Sequence, residues 1–460
     1  MPAKQARLSV HEERRKFGQS RRDEVSRVSQ GDWTAKHRDS GVVDLLRKAQ
    51  RGHITKLLPI KFARMAASPF GFFRGAVPVM AADLSKLPNT GIHSQICGDA
   101  HVRNLGAFAG VDGRLIFDIN DFDETIRGPW EWDVKRMAAS LVLAGREANN
   151  TEKGCKEAVL AFARSYREAM RQFCEMTVLD LARYQVFRHL NVSPVLAVLR
   201  KAERSTPEHN LACLTVRQDG KYRFREHKPL QFHLPRRAAA EVVAGLRSYV
   251  ETLLPERQRW FAQYRVEDVA FRVVGTGSVG VRDYVVLMFG RSINDPLFIQ
   301  IKEEDASAYA PYAPQGRVSM NQGQRTAQGQ RAMQVQSDIF LGWTAIAGRD
   351  YLVRQLRDHK GTIENEDLEG DGLVQYGRVC GEMLSKGHAR SGDSCAISGY
   401  LGNSDKFDKA MVDFGVAYAD QSTKDFDEFT RAIRLGKVPA APAVPPPAKQ
   451  SHGKTKNLGS

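Results

Sequence analysis

Cys97-Gly98-Asp99-Ala100-His101-Val102-Arg103-Asn104 and, one hairpin later, Leu115-Ile116-Phe117-Asp118-Ile119-Asn120-Asp121-Phe122-Asp123-Glu124 bring two acidic and amide clusters close together in the chain. The first sets Asp99 and Asn104 five residues apart. The second is entered through an apolar, strand-like run and adds Asp118, Asp121 and Asp123. A hard divalent cation such as Mg²⁺ takes few oxygen ligands from protein, keeping room for water and phosphate. Phosphoryl transfer needs one further carboxylate to orient the attacking hydroxyl. Taken singly, each Asp reads as a turn or cap residue, as Asp112-Gly113 does. Their order, their spacing and the apolar strand together point to catalysis or metal binding.

The spacing resembles the protein-kinase catalytic loop, H-R-D-x-x-x-x-N followed by D-F-G. Asp99 and Asn104 stand at the D-x-x-x-x-N offset, and Asp121-Phe122 stands at the D-F pair. Phosphotransferases of the aminoglycoside and choline kinase type carry H-G-D-x-H-x-x-N and then I-D-F or I-D-W. Gly98 to Asn104 is similar, with Cys97 in place of the first histidine. Gly128-Pro129-Trp130-Glu131-Trp132-Asp133 is similar to the G-x-P and helix-opening Asp that follow in those kinases. The resemblance implies that Asp99 orients or deprotonates an acceptor hydroxyl. It implies Asn104 and Asp121 as Mg²⁺ ligands, Asp118 and Asp123 as further metal candidates, His101 ordering the loop and Asp133 bracing it.

Further on, Phe271 to Phe289 holds G-x-G-x-x-G at Gly275, Gly277 and Gly280. A dinucleotide-binding fold needs a helix after those glycines. A β-branched run, Tyr284 to Phe289, follows instead, so the glycines join two strands. That resembles the kinase glycine-rich hairpin, whose bare backbone approaches phosphates. Leu297-Phe298-Ile299-Gln300-Ile301-Lys302 resembles the third kinase strand, V-A-I-K, whose lysine grips the nucleotide. One departure is Arg282, where the kinase pattern has Val. The competing reading is an ordinary hairpin with a surface lysine. Gln324 to Trp343 reads as a helix beside Lys302. Gln330 or Gln334 stands where the kinase helix has Glu, and Glu303 and Glu304 compete for that role. Tyr351 to Leu356 reads as a strand leading to a hinge. Asp413-Phe414-Gly415 spells D-F-G, but Phe407, Ala410, Met411, Phe414, Ala417 and Tyr418 form a helical stripe, so it reads as helix core.

A chain of 460 residues, 42% hydrophobic and 26% charged, suits two or three soluble domains or one two-lobed enzyme. No apolar run reaches a membrane helix of roughly 18 residues, and the N-terminus lacks a signal-peptide core. A cytoplasmic protein is expected. Six cysteines with no C-x-x-C pair suggest reduced thiols. Of the +15 net charge, residues 1–40 and 437–460 contribute +4 each, so over half lies in the ends. What remains suits an anionic nucleotide, and specific nucleic-acid binding is not expected.

Residues 1–40 read as a basic flexible arm and 438–460 as a disordered tail. Ser68 to Gly75 reads as an aromatic-rich break, with Arg74 and Lys61 as candidate phosphate contacts. Helices are expected over Val77–Leu84, from Asp133, over 151–175, Ala238–Leu254, 371–390 and 404–435. Residues 176–235 alternate helical pieces with loops.

The blocks from about residue 40 to 435 also resemble an uncharacterised bacterial family, domain of unknown function 2252. The residues that carry this include Ser68-Pro69-Phe70, Phe73-Arg74-Gly75, Gly98-Asp99-Ala100-His101 and His388-Ala389-Arg390-Ser391-Gly392-Asp393. Kinases run glycine loop, lysine, hinge, catalytic loop, D-F; this chain places the catalytic blocks first. The expectation is an α+β, protein-kinase-like two-lobed fold, circularly permuted, with a helix-rich large lobe and a small antiparallel sheet lobe. Its parts are 41–265 (large lobe), 266–360 (small lobe) and 361–437 (helices returning to the large lobe). Permutation is tolerated where natural termini lie close together. The function expected is ATP- and Mg²⁺-dependent phosphotransfer to an unknown hydroxyl-bearing acceptor, a small molecule before a protein. The alternatives are a metal-dependent phosphohydrolase built on Asp99, His101, Asn104, Asp118 and Asp121, and a catalytically silent nucleotide-binding protein.

Overall fold

The apolar run Leu115–Ile119 is a strand in the computed structural model, which describes residues 10–186, 192–204, 206–273, 279–317, 319–356 and 361–441. In chain order the strands are β1 (His93–Ile96), β2 (Leu105–Ala109), β3 (Leu115–Ile119), β4 (Ile126–Pro129), β5 (Thr215–Gln218), β6 (Lys221–Phe224), β7 (Gln231–His233), β8 (Arg265–Arg272), β9 (Asp283–Phe289), β10 (Pro296–Glu303), β11 (Gly342–Ile346), β12 (Arg349–Gln355) and β13 (Gly361–Thr362). A six-stranded sheet has the order β11-β12-β10-β9-β8-β7, with antiparallel pairs throughout. A smaller sheet has the order β13-β2-β3, and β1-β4 and β5-β6 form separate pairs. Most of the remainder is helical, so the fold is mixed α+β with small antiparallel sheets.

Alternation on β10 decides what each face of the large sheet does. Leu297, Ile299 and Ile301 join Val242, Leu246 and Tyr249 of the helix Arg236–Glu251 in one apolar cluster. The period of two then turns Gln300 and Lys302 to the opposite face. Away from this sheet, the helices Glu131–Glu147, Glu152–Glu175, Asp371–Ser391 and Lys406–Arg434 enclose the main core. Val134, Met137, Ala138 and Leu141 form one buried stripe at helical spacing. Thr151 starts the next helix by accepting a hydrogen bond from Gly154 N. Trp130 stacks on Tyr166 at 5.6 Å, tying the turn after β4 to that helix.

Several expectations need correction. Residues 10–24 of the presumed flexible arm are a helix, Val10–Glu24, docked on Ser394–Leu401. Two arginines of the arm reach the end of the Ser394–Leu401 helix: Arg22 Nε donates to Tyr400 O at 2.9 Å, and Arg27 Nη1, just past the N-terminal helix, to Leu401 O at 2.9 Å. These carbonyls end a helix and have no partners within it, so cations there satisfy orphan acceptors and oppose the dipole. Arg38 likewise bridges Asp83 and Asp425. Ser68 to Gly75 is no break but a short helix, Pro69–Gly75, with Ser68 as its cap and Pro69 in its first turn. The helix expected over Gln324–Trp343 spans only Gln322–Met333, and Gly342 already begins β11. Residues 176–235 include the β5-β6 hairpin, turning at Asp219-Gly220, and the sheet strand β7. The large sheet therefore begins before residue 266.

Other readings coincide with the fold. Val77–Leu84 is a helix. Asp413-Phe414-Gly415 lies within Lys406–Arg434 with Phe414 fully buried. β12 leads through residues outside the description to β13, so the chain passes from the large sheet to the small one there. Of the tail expected at 438–460, residues 442–460 lie outside the described residues.

Candidate active site

The loop after β1 is held from below. Asp133, in the first turn of Glu131–Glu147, accepts from Cys97 N at 2.8 Å and Gly98 N at 2.9 Å. His388 Nε2 lies 3.2 Å from the same carboxylate, and Tyr166 Oη is 2.8 Å from His388 Nδ1. Buried polar groups of this kind hold one loop conformation only while every member is satisfied. Asn104 then clasps the two acidic segments. Its Oδ1 accepts from Asp121 N at 2.7 Å, while Nδ2 donates to Asp99 O at 2.9 Å and Asp121 O at 3.0 Å.

Asp99 projects from this loop and is half-buried. Its Oδ1 accepts from Arg136 Nε at 2.8 Å and also from Arg136 Nη2. Its Oδ2 lies 3.5 Å from His101 Nε2. Burial alone pushes the Asp99 carboxyl up, but the Arg136 guanidinium and His101 outweigh it and hold the group well below the usual range. His101 Nδ1 accepts from Arg103 N at 3.1 Å, which leaves Nε2 to face Asp99. Burial lowers the His101 pKa, opposed by Asp99. Asp99 thus presents a carboxylate with one oxygen tied down by Arg136 and the other beside an imidazole.

The second segment meets the large sheet. Lys302 Nζ forms an ion pair with Asp123 Oδ2 across 179 residues of sequence, and Glu304 Oε1 lies 3.9 Å from the same ammonium. Asp121 and Asp123 each keep Oδ1 out of solvent with no donor among the described residues, and the two carboxyl groups lie within hydrogen-bonding reach of each other. Burial and then Asp123 raise the Asp121 pKa, against the pull of Lys302 and Arg354. For Asp123, burial is outweighed by Lys302 and Arg354, which hold its carboxyl well below the usual range. Lys302 is buried, yet Asp123, Asp121 and Glu304 push its pKa up. The arrangement is a cationic lysine beneath two carboxylates, one of which is costly to keep ionised.

The helix Gln322–Met333 reinforces the loop with an arginine. Arg325 donates through Nη1 to Thr125 O at 2.5 Å, and through Nη2 to Asp123 O at 2.8 Å and Asp305 O at 2.9 Å. Gln330 Nε2 bonds Gln334 Oε1 at 3.1 Å, and Gln334 Nε2 bonds Ile119 O at 2.6 Å. Both glutamines are thereby engaged, and the carboxylates beside Lys302 come from Asp123 and Glu304.

Asp118 is not with the others. Its Oδ2 pairs with the fully buried Lys386 and its Oδ1 accepts from Ile119 N at 2.9 Å, so the expectation of a further metal ligand needs correcting. A strand one residue out of phase with the cluster turns the carboxylate into the core. Gly275 and Gly277 lie outside the described residues. Gly280 is described: its φ is +110°, and a Cβ there would lie 2.9 Å from His53 Nδ1, which calls for glycine. Its carbonyl accepts from Ile54 N at 2.7 Å, drawing the end of the β8-β9 connection towards the helix Leu58–Met65. Lys61 of that helix is buried; burial lowers its pKa to about 8, with Glu124, Asp305, Lys302 and Asp123 among its charged neighbours. Arg136, Arg325 and Arg354 were not legible as site residues, because each acts on a segment remote in sequence and carries no motif.

Among the described residues, no helix is long and apolar enough to cross a membrane. The family model described as "Uncharacterized protein conserved in bacteria (DUF2252)" matches residues 51–432. No curated protein and no solved structure matches the chain.

Proposed function

The chain belongs to the uncharacterised bacterial family DUF2252, which brings no chemistry with it, and from the site itself we propose an ATP- and Mg²⁺-dependent phosphotransferase with a permuted kinase-like arrangement. The observation that carries the reading is the Lys302–Asp123 ion pair beside two buried carboxylate oxygens that have no donor among the described residues. Lys302 lies on the third strand of the β8-β9-β10 meander, as the kinase lysine does on its third strand, and a helix follows before the next strand. Kinases pair that lysine with a helix glutamate; here Asp123 and Glu304 stand in for it. Asp121-Phe122 then matches the D-F pair whose Asp holds Mg²⁺.

The donor set fits a hard cation. Asp121 Oδ1 and Asp123 Oδ1 are hard oxygens with unmet acceptor capacity, and Mg²⁺ binds through one or two carboxylates plus phosphates and water. When bound, the ion would neutralise charge developing on the phosphoryl oxygens. Lys302 and Arg354 would orient the nucleotide phosphates, and the turn at Gly280 would lie over them. Asn104 holds the loops in register instead of serving as a free ligand.

Asp99 Oδ2 accepts the hydrogen bond of the acceptor hydroxyl and aims its oxygen. The hydroxyl oxygen forms a bond to the γ-phosphorus, the bond from that phosphorus to the β–γ bridging oxygen breaks, and ADP leaves. The acceptor proton passes to Asp99 Oδ2 and on to solvent. A carboxylate held at low pKa orients this hydroxyl more than it drives deprotonation.

The phosphohydrolase reading is weakened, because Asp118 is bound to Lys386 and Asn104 to backbone. The test is transfer of labelled γ-phosphate to a panel of hydroxyl compounds. Asp99→Asn should reduce transfer at least about 100-fold while nucleotide binding persists. Metal-dependent release of phosphate that is indifferent to Lys302→Ala would instead establish the hydrolase.

A further inference from the structure

Beside Asp99, the unmet groups change sign. Arg74 Nε and Arg103 Nε are both out of solvent and have no hydrogen-bond partner among the described residues. Arg103 is otherwise anchored: Nη2 donates to Asn365 Oδ1 at 2.5 Å, lies 3.8 Å from Glu147, and the guanidinium covers the Phe70 ring at 5.5 Å. Arg74, at the end of the helix Pro69–Gly75, has its pKa lowered by burial and then by Arg103, against the attraction of Asp99, Asp121 and Glu147. Burying a guanidinium with a bare N–H is costly, and bringing a second one to it costs more. An anion with several oxygens bridging both would satisfy these donors, since arginine forks match phosphate and carboxylate geometry.

The position separates this anion from the nucleotide. Phe70, one helical turn before Arg74 and beneath the Arg103 guanidinium, meets the His101 ring at 6.2 Å, and His101 Nε2 lies 3.5 Å from Asp99, whereas Lys302 is paired with Asp123. The arginines therefore belong to the Asp99 side of the site, where the hydroxyl would lie. We propose that the acceptor carries an anionic group of its own, a phosphate or carboxylate, held across Arg74 and Arg103 while its hydroxyl meets Asp99. This rests on the phosphotransferase reading for the word acceptor; the anion site itself does not.

The experiment measures the melting temperature of the full chain with inorganic phosphate, against sodium chloride of equal ionic strength, and separately with ATP and Mg²⁺. Wild type and Lys302→Ala should each rise by at least about 3 °C at saturating phosphate. Arg74→Gln and Arg103→Gln should lose that rise, and Arg74→Lys should keep only part of it. The ATP–Mg²⁺ response should survive in the arginine variants. Should Arg74→Gln fail to fold, Arg103→Gln and Arg74→Lys decide. A phosphate response that persists in the arginine variants, or is missing from wild type, overturns the proposal. So does loss of the ATP–Mg²⁺ response in the arginine variants, which would give the pair to the nucleotide. An arginine-dependent phosphate response with no ATP–Mg²⁺ response in wild type overturns the phosphotransferase reading and leaves the anion site standing.

Discussion

Two carboxylates carry tension that a folded protein without ligand gains nothing from. Asp121 is pressed by burial and by Asp123 towards its neutral form, and its Oδ1 has no donor among the described residues. Asp121→Asn removes the repulsion, so the metal-free melting temperature should rise by a few degrees. The same substitution should abolish any Mg²⁺-induced rise; a variant less stable than wild type, or still responsive to Mg²⁺, would contradict the assignment. Asp283, paired across the strands with Lys302, titrates for a different reason. Burial pushes its carboxyl up to about 7, against Lys302 and the Gln300 amide, whose Nε2 lies 2.8 Å from Oδ2. In the unfolded chain an Asp titrates near pH 3.9. Between those values the native state holds a proton that the unfolded state has lost. The stabilisation is full below about 4 and is lost as pH rises towards about 7. Urea unfolding should show this group giving roughly 2–3 kcal/mol more stability at pH 5 than at pH 7.5. Asp283→Asn, which keeps an acceptor for Gln300, should flatten that slope; an unchanged slope would mean the carboxyl ionises normally.

At the scale of elements, the N-terminal helix Val10–Glu24 is the part the sequence concealed most. Its buried side is made by Gly18, not by an apolar stripe, so no hydrophobic period announces it. A Cβ at Gly18 would lie 1.9 Å from Ala396 O, so backbone meets backbone there. Gly18→Val should lift the helix off Ser394–Leu401, cost about 2–4 kcal/mol, and open the Arg21-Arg22 bonds to trypsin; unchanged resistance to cleavage would show that the crossing tolerates a side chain. By contrast, the strands β9 and β10 were readable from their β-branched runs and the Ser292 to Pro296 turn. The helix Glu131–Glu147 was readable from its 3.6-residue stripe. The end of Gln322–Met333 was not, because its Gln- and Arg-rich surface has no apolar period and its stop is set by Gln334 bonding to Ile119 O. Asp118 shows the same limit: spacing put it with the metal candidates, and strand phase put it against Lys386.

For the molecule as a whole, the motifs were legible singly and their meeting was not. Nothing local in the sequence says that Lys302 on β10 reaches Asp123, since that contact depends on where the large sheet lies relative to the helical core. The chain that makes the acidic loops first and the lysine strand later still closes one cluster of opposite charges. The central claim is that this cluster is a single nucleotide and metal site. Calorimetric titration of wild type, Lys302→Ala and Asp121→Ala with ATP, with and without Mg²⁺, tests it most directly. The account predicts Mg²⁺-dependent binding in wild type, weakened at least about tenfold, or about 1.4 kcal/mol, in both variants. Binding that is independent of Mg²⁺, or that survives either substitution unchanged, would contradict it.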